Sequence, residues 1–567
     1  MSQPSPPAHA PKNGVAAAST IMAAGTMVSR VLGFLRSMLL AVAIGGTTLI
    51  VDIFERANTI PNSVYLLLVG GMFNMVLVPQ LIKAAKKPDQ GADYTSRLLT
   101  LSVVVMFVCT AVLTVCAYPI LRLLTLGWSE PMLALGTSFA LWTLPQVFFY
   151  GVYAVIGQIL NANAKFGWYM WAPVLNNLVA ITMLIGYIVA FGQHQAGDDG
   201  MAEWTTTQTV ILAGGHTLGI AAQAAILIWP LSRLGLTLRP KFGVRGMGLG
   251  ATGRIAAWTL LTMTIGNVSN IIHIRLISGA TAAREEMGED GASVPGEYAA
   301  NIAELIVLLP HSVFVLSIAT VLFNQMSDAM GEGRVDEARE VMNRGLRIFA
   351  IPIMFSTIAF VVLAGVLGRL FAGAAADADM AAAAIGQLLI LFAVVLPFRS
   401  ASLYMMRTFY AAEDAKTPLK VTLVTMAFGQ VTAHAALLVV PYESMPYVVV
   451  AVWGAMNVMR YGCFHVLAAR RWGSFGLPSI ITAYVSSGWA AVAAGLAGGL
   501  AAWAMGAYTF GFAYDSILTA AVTLLISGSV MAVVYIAVLR VLRVREFHEF
   551  MEPIGRRVPA ARRLVRL

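Results

Sequence analysis

Long apolar segments separated by short polar connections recur along almost the whole chain. A transmembrane helix needs about 20 predominantly apolar residues, and on this template the sequence predicts fourteen membrane-spanning helices. Glycine and aliphatic residues dominate the segments, which are too long for the strands of a membrane β-barrel. We therefore predict an all-α polytopic membrane protein with helices at 16–45, 50–84, 95–125, 131–160, 167–192, 205–234, 251–279, 298–327, 341–371, 381–410, 417–440, 446–469, 477–505 and 514–541.

The composition and the distribution of charge agree with this class. Of the 567 residues, 58% are hydrophobic and only 11% are charged, whereas a soluble domain carries about 25% charged residues. Basic side chains cluster in alternate connections, and the other connections are acidic or neutral, including an acidic outer loop at 280–297. Because cytoplasmic loops are enriched in Lys and Arg, both termini are predicted to be cytoplasmic. The net charge of +9 then reflects membrane anchoring and predicts no nucleic-acid partner.

A basic connection divides the predicted helices into six before it and eight after it. The simplest arrangement is two six-helix lobes plus two C-terminal helices, and two-lobed transporters bind their substrate between the lobes. The predicted units are a disordered cytoplasmic tail (1–15), a first lobe (16–234), a cytoplasmic linker (235–250), a second lobe (251–470), a C-terminal helix pair (476–541) and a basic cytoplasmic tail (542–567).

Two arginines, Arg30 and Arg36, lie inside the first predicted helix. Each arginine near the centre of a transmembrane helix costs roughly 2.5–3.5 kcal/mol on insertion scales, so such residues usually face a cavity or a partner. The guanidinium group suits phosphate oxygens because it donates paired hydrogen bonds. The pair therefore predicts a cavity for an anionic substrate. The structural alternatives are pairing with acids of the next helix and extension toward the membrane interface.

Further charges lie inside other predicted helices. Asp52 and Arg56 are spaced as a favourable i,i+4 pair, and Asp52 is equally placed to hold an arginine of the first helix. Glu55 and Arg56 are assigned to gating or ion pairing. In the second half, Arg275 and Arg399 are predicted to face the cavity. Glu304 is a candidate gate, cation ligand or ion-pair partner.

The sequence has no motif typical of catalysis. It lacks a phosphate-binding Gly-Lys loop, a nucleophile elbow and a paired-acid metal motif. An enzyme acting on polyprenyl phosphates would need clustered acids to bind metal, and the acids here lie mostly in connections. We therefore predict a protein that is not an enzyme and has no cofactor, and whose transport is driven by the membrane potential or by a coupling cation.

Five stretches of the sequence, in order, resemble the MurJ (MviN) lipid II flippase family. They are Ser29–Arg36; Pro61-Asn62 with Val78-Pro79; Ile159–Ala162 with Ala172-Pro173; Pro310 with Gln325–Ser327; and Tyr410–Lys420. The resemblance covers about residues 18–540. It implies a fourteen-helix MOP-superfamily exporter in the bacterial plasma (inner) membrane. Such a protein moves the undecaprenyl-pyrophosphate-linked peptidoglycan precursor lipid II to the outer leaflet by alternating access.

The resemblance also implies roles for individual residues. Arg30 and Arg36 would bind the pyrophosphate or sugar headgroup in a cationic central cavity, Asp52 would orient this region, and the last two helices would form a groove for the lipid tail. At several positions where family members carry charged residues, this chain has Ser37, Tyr65, Leu66, Gly70 and Leu305. These departures predict that part of the positive charge is missing or has moved to Arg275 or Arg399.

Two other functions fit the sequence less well. A related exporter of drugs or of another lipid-linked oligosaccharide shares the same architecture. A non-transporting scaffold for cell-wall synthesis and division proteins would leave the intramembrane arginines without a role. The predicted partners are thus lipid II, the membrane itself, and proteins of cell-wall synthesis and division.

Overall fold

The fold is taken from a computed structural model of the chain. It describes residues 12–68, 81, 84, 89, 91–163, 165–195, 201, 203–243, 253–375 and 378–557. Helices account for most of these residues, which contain no β-strand, so the all-α prediction is confirmed. Several predictions concern positions outside the described residues, namely 1–11 and 558–567 of the two tails, 244–250 of the linker, Gly70, and Val78-Pro79.

We number the helices in chain order and treat pieces separated by a short break or a π-helical stretch as one helix. The first half contains α1 (Lys12–Ile44), α2 (Leu49–Leu68), α3 (Ala92–Val115 and Ala117–Leu124), α4 (Glu130–Thr143 and Gln146–Ala162), α5 (Phe166–Phe191) and α6 (Thr206–Thr209, the π-helical Val210–Gly214, Gly215–Ala225 and Ile228–Ser232).

The second half begins with α7 (Gly253–Met287), α8 (Glu297–Pro310, the π-helical His311–Val315 and Leu316–Gly331) and α9 (Val335–Val362 and Ala364–Arg369). It continues with α10 (Ala378–Ala411), α11 (Lys416–Ala436), α12 (Met445–Trp472), α13 (Leu477–Ala504), α14 (Ile517–Val541) and α15 (Arg545–Arg557). Short 3₁₀ turns cover Gly288–Ser293, Tyr442–Ser444 and Phe512–Tyr514.

Within the described ranges, ten helices are long and apolar enough to cross a membrane. They are α1, α3, α4, α5, α6, α8, α9, α10, α13 and α14. This confirms a polytopic membrane protein, while the count of fourteen spans and the cytoplasmic termini stay predictions. Two of the remaining helices, α2 and α7, carry many of the polar side chains that face the interior cavity described below.

The helices pack in two groups. Helices α1–α6 contact mainly one another, as do α7–α12, and α13 packs on both α14 and α9. Contacts between the two groups come chiefly from α2, which packs on α7 and α8. The central cavity therefore lies beside α2, where the two groups meet.

Two segments differ from the sequence-based expectation. Helix α7 continues to Met287, so the first part of the predicted outer loop 280–297 is helical and Arg284 projects from a helix. The predicted basic tail contains α15, which docks on α9 through two acids. The Glu546 Oε1 atom lies 2.7 Å from Arg347 Nε, and Glu549 Oε2 lies 3.0 Å from Arg344 Nε.

We predict that the double substitution Glu546→Gln with Glu549→Gln loosens α15. Both carboxylates are largely shielded, with side chains 12% and 22% exposed, so their ion pairs are screened less than surface pairs. Hydrogen–deuterium exchange should become faster across α15 and stay unchanged in α14. Glu332→Gln, which removes an exposed partner of Arg334, should change neither. Unaltered exchange in α15 would show that apolar packing alone holds it.

Candidate functional site

A cavity of about 460 Å³ lies between the two groups of helices. Helices α1, α2, α4 and α6 line it from one side, and α7, α8, α10 and α12 line it from the other. Because both groups contribute to its walls, any relative movement of the groups changes its shape. The cavity is therefore the candidate functional site.

The charged lining of the cavity in the described part of the chain consists of Arg36, Glu55 and Glu304. Glu304 Oε1 lies 3.0 Å from Arg399 Nη2. The guanidinium carbon of Arg399 lies 4.8 Å from the ring centre of Trp453, which itself lines the cavity. Arg399 therefore lies outside the cavity lining, between the carboxylate of Glu304 and the ring of Trp453. The positive charge at this site rests on Arg36 and Arg399.

Neutral polar side chains are more numerous than charges along the described lining. The asparagines are Asn58, Asn62, Asn267, Asn270 and Asn301. The amide of Asn301 donates to Glu55 Oε2 at 3.3 Å and so orients that carboxylate. Leu66 and Leu305, two positions where the family resemblance implies arginine, also line the cavity. The described lining is therefore amide-rich and carries few positive charges.

The other predicted site residues lie outside this lining. Arg30 Nη1 donates to Ser312 Oγ in the π-helical stretch of α8. Arg275 lies on α7, where its Nε atom is buried without a hydrogen-bond partner among the described residues. The structure therefore brings Arg36, Glu55, Glu304 and Arg399 together and separates Arg30 and Arg275 from them.

Asp52 and Arg56 form two buried ion pairs with the second half of the chain. Asp52 Oδ2 lies 2.9 Å from Arg284 Nη1, and Arg56 Nη2 lies 3.0 Å from Glu297 Oε2. All four side chains are at most 4% exposed. The predicted i,i+4 pairing of Asp52 with Arg56 is therefore wrong, because α7 and α8 supply closer opposite charges and a buried charge needs a directly bonded partner.

Asp52 also caps the first turn of α8. Its Oδ1 atom accepts a hydrogen bond from the backbone N–H of Tyr298 at 2.9 Å, one of the donors that a helix start leaves unpaired. Thr281 Oγ1 donates to Oδ2 at 3.2 Å. Gly296 permits this approach because a Cβ at that position would overlap the Oδ2 atom. A single carboxylate of α2 thus binds both α7 and α8.

The four residues Asp52, Arg56, Arg284 and Glu297 are called the interlobe ion-pair cluster below. Sequence reasoning missed Arg284 and Glu297 because both fell in or beside the predicted acidic loop. The one available signal was an arginine within a run of acids at the end of an apolar segment. Glu55 lies on α2 between two cluster residues in sequence and lines the cavity, so the cluster lies next to the cavity.

The helices and the cavity define a multi-pass helical membrane protein whose fold matches those of solved transporters. A solved lipid II flippase MurJ in an inward closed conformation matches with a TM-score of 0.65 and 17% identity, over 92% of this chain and 99% of that one. An inward-facing MATE transporter of the MOP superfamily matches with a TM-score of 0.62 and 16% identity, over 81% of this chain and 99% of that one.

Sequence relatives identify the family more closely. Residues 41–523 match the family described as Lipid II flippase MurJ. A probable lipid II flippase MurJ from Rhizobium tropici is 24% identical over 412 residues, which is 71% of this chain and 72% of that protein. The protein of that name from Haemophilus influenzae is 24% identical over 451 residues, covering 76% and 82%.

The chain belongs to the MurJ lipid II flippase family, as the resemblance predicted. It is accordingly a multi-pass protein of the inner membrane, with a place in peptidoglycan biosynthesis. The relatives are named as flippases or transporters and not as enzymes.

We predict that Gly296→Ala strongly destabilises the protein. The backbone of Gly296 has φ of −107°, which alanine adopts without strain, so the damage comes only from the overlap with Asp52. The midpoint of thermal unfolding in detergent should fall clearly. Gly186→Ala is the matched control because a Cβ there meets nothing within 4 Å, and it should leave the midpoint unchanged or slightly higher.

We predict that Arg284→Met costs about 3–5 kcal/mol of stability, because it leaves the Asp52 carboxylate buried without its ionic partner. Adding Asp52→Asn should recover part of that loss, since the unpaired charge disappears. A double-mutant cycle built on chemical unfolding measures this coupling. Arg334→Met at an exposed ion pair should change stability by less than about 1 kcal/mol. Strictly additive losses would contradict direct pairing.

Proposed function

We propose that this chain moves lipid II from the inner to the outer leaflet and carries the headgroup through the central cavity by alternating access. Family membership and a cavity walled by both groups of helices support this. The observation that carries the proposal is the state of Arg36. It lines the cavity together with Glu55, with which it interacts electrostatically, and no hydrogen bond or ion pair within 4 Å joins its guanidinium to another described residue. A charged guanidinium whose hydrogen-bond donors are not used by described residues is suited to bind the pyrophosphate of the substrate.

Arg399 is the second proposed phosphate-binding group. Its Nη2 atom is held by Glu304, while Nη1 is buried without a partner among the described atoms. Leu305, which follows Glu304, lines the cavity where the family resemblance implies an arginine. We infer that Arg399 supplies the positive charge missing there and that a bound pyrophosphate competes with Glu304 for it.

The remaining predicted residues receive positioning roles in this proposal. Arg30 holds α1 against the π-helical stretch of α8 through Ser312. Asp52 and Arg56 close one end of the cavity, and their pairs with Arg284 and Glu297 separate when that end opens. Arg275 lies outside the described lining, and the proposal assigns it no contact with the substrate.

We infer that the membrane potential supplies part of the driving force. An inside-negative potential favours outward movement of an anion by about 2.3 kcal/mol per charge per 100 mV. A coupling cation is the alternative source, and no cofactor is required. The lipid tail would stay in the bilayer beside α13 and α14. Cell-wall synthesis and division proteins remain proposed partners.

We predict that Arg36→Ala abolishes the export of lipid II. In cells depleted of their own flippase, the wild-type chain should restore lipid II in the outer leaflet, and Arg36→Ala at equal membrane abundance should not. The physical reason is loss of the unpaired guanidinium that binds pyrophosphate. Outer-leaflet lipid II is measured by its accessibility to an enzyme added outside the cell.

Arg407→Ala is the matched comparison. Arg407 lies on α10 outside the described lining and donates to Thr320 Oγ1, so export should persist. Equal export by the wild-type chain and Arg36→Ala would remove the phosphate-binding role. Failure of the correctly folded wild-type chain to export lipid II would favour another lipid-linked substrate or a scaffold.

A further inference from the structure

The asparagines of the cavity are more numerous than phosphate binding by Arg36 and Arg399 requires. Asn58 and Asn62 lie on α2 with a spacing of four residues, and Asn267 and Asn270 lie on α7 with a spacing of three. Both spacings place two side chains on the same face of a helix. Two amide pairs therefore line the same cavity, one from each half of the chain.

Most of the hydrogen-bonding capacity of these four amides is unused within the described protein. Neither Asn62 nor Asn270 hydrogen-bonds to another described residue, and both side chains are exposed to the cavity. Asn58 Oδ1 accepts from Gln146 at 3.2 Å, which leaves its N–H donors available. Asn267 donates to the backbone of its own helix at 3.0 Å, which leaves its oxygen available. The two pairs thus offer donors and acceptors together.

This chemistry favours a neutral ligand. An amide donates and accepts at neighbouring atoms, as does an N-acetyl group, and it also pairs with sugar hydroxyls. Phosphate oxygens only accept, so the amide oxygens gain nothing from them, and Leu66 and Leu305 add no charge to the wall. Tyr150 and Trp453 in the same lining provide apolar aromatic faces with polar edges.

We propose that Asn58, Asn62, Asn267 and Asn270 form a recognition site for an N-acetylated saccharide, distinct from the phosphate-binding arginines. The inference rests on the proposed function and deepens it, because the four asparagines would bind the carbohydrate part of the headgroup. The arginines select for pyrophosphate, and the amide pairs select for the sugar attached to it. A ligand bound by both pairs bridges α2 and α7 and thereby joins the two groups of helices.

The test compares two probes on the full-length chain in lipid nanodiscs. The probes are lipid II and undecaprenyl pyrophosphate, which share lipid and pyrophosphate, while lipid II alone carries the saccharide and its attached peptide. A peptide-free form of lipid II is measured beside them and should show the same changes in affinity as lipid II. The double variant Asn62→Leu with Asn270→Leu should bind lipid II about tenfold more weakly, since each neutral hydrogen bond contributes a factor of a few. Its affinity for undecaprenyl pyrophosphate should be unchanged. Arg36→Gln should weaken the binding of both probes.

Two controls separate recognition from folding. Asn163→Leu replaces an exposed asparagine at the end of α4 whose amide donates to its own helix, and it should leave both affinities unchanged. Asn62→Gln with Asn270→Gln keeps the amides and should retain more affinity for lipid II than the leucine variant does.

The outcomes distinguish this proposal from the proposed function. Wild-type binding of both probes with equal affinity, or an unchanged affinity of the leucine variant for lipid II, would overturn the saccharide site alone. A leucine variant that loses both probes to the same extent would overturn it as well. A folded wild-type chain that binds neither probe would refute the proposed function and this inference with it.

Discussion

The interlobe ion-pair cluster is the constraint on which the rest of the site depends. Four charges within a mostly apolar helical protein must find direct partners, because the cost of removing an ion from water is offset only by close, well-bonded opposite charges. Asp52 and Arg56 find theirs on α7 and α8. That requirement fixes α2 against the second half of the chain, and Gly296 makes the contact sterically possible.

The cluster decides what the neighbouring cavity can contain. Asp52 and Arg56 are neutralised by Arg284 and Glu297 and are therefore unavailable for a ligand. Glu55 is the acid of that turn of α2 that lines the cavity. Asn301, which lies one helical turn after Glu297 on α8, orients Glu55 by a hydrogen bond. The first turns of α8 therefore supply both an ion-pair partner for Arg56 and a polar part of the cavity wall.

The sequence was sufficient to predict the helical membrane fold, because apolar segments long enough to cross a membrane can be recognised directly in it. It also led to Arg36, Glu55, Glu304 and Arg399 as intramembrane charges. The sequence could not give the ion-pair partner of Asp52. That partner, Arg284, lies more than two hundred residues away, on the part of α7 that extends beyond its apolar segment. The sequence offered two nearby partners for Asp52, Arg56 by the i,i+4 rule and an arginine of the first helix, and the structure pairs Asp52 with Arg284 instead. The neutral asparagines gave no signal that distinguished them from ordinary polar residues.

A cavity with few fixed positive charges is well suited to release an anion as well as to bind it. Two unopposed guanidinium groups would hold a pyrophosphate tightly in a low-dielectric interior, and a tightly held substrate leaves slowly. In the proposed mechanism, Glu304 beside Arg399 offsets part of that attraction and pairs with the guanidinium again when the anion leaves. Affinity lost with the missing charges can be restored by neutral hydrogen bonds to the rest of the headgroup, which depend little on the membrane potential. If arginines bind the pyrophosphate and asparagines bind the saccharide, as proposed, one cavity can combine selectivity for its substrate with release of that substrate.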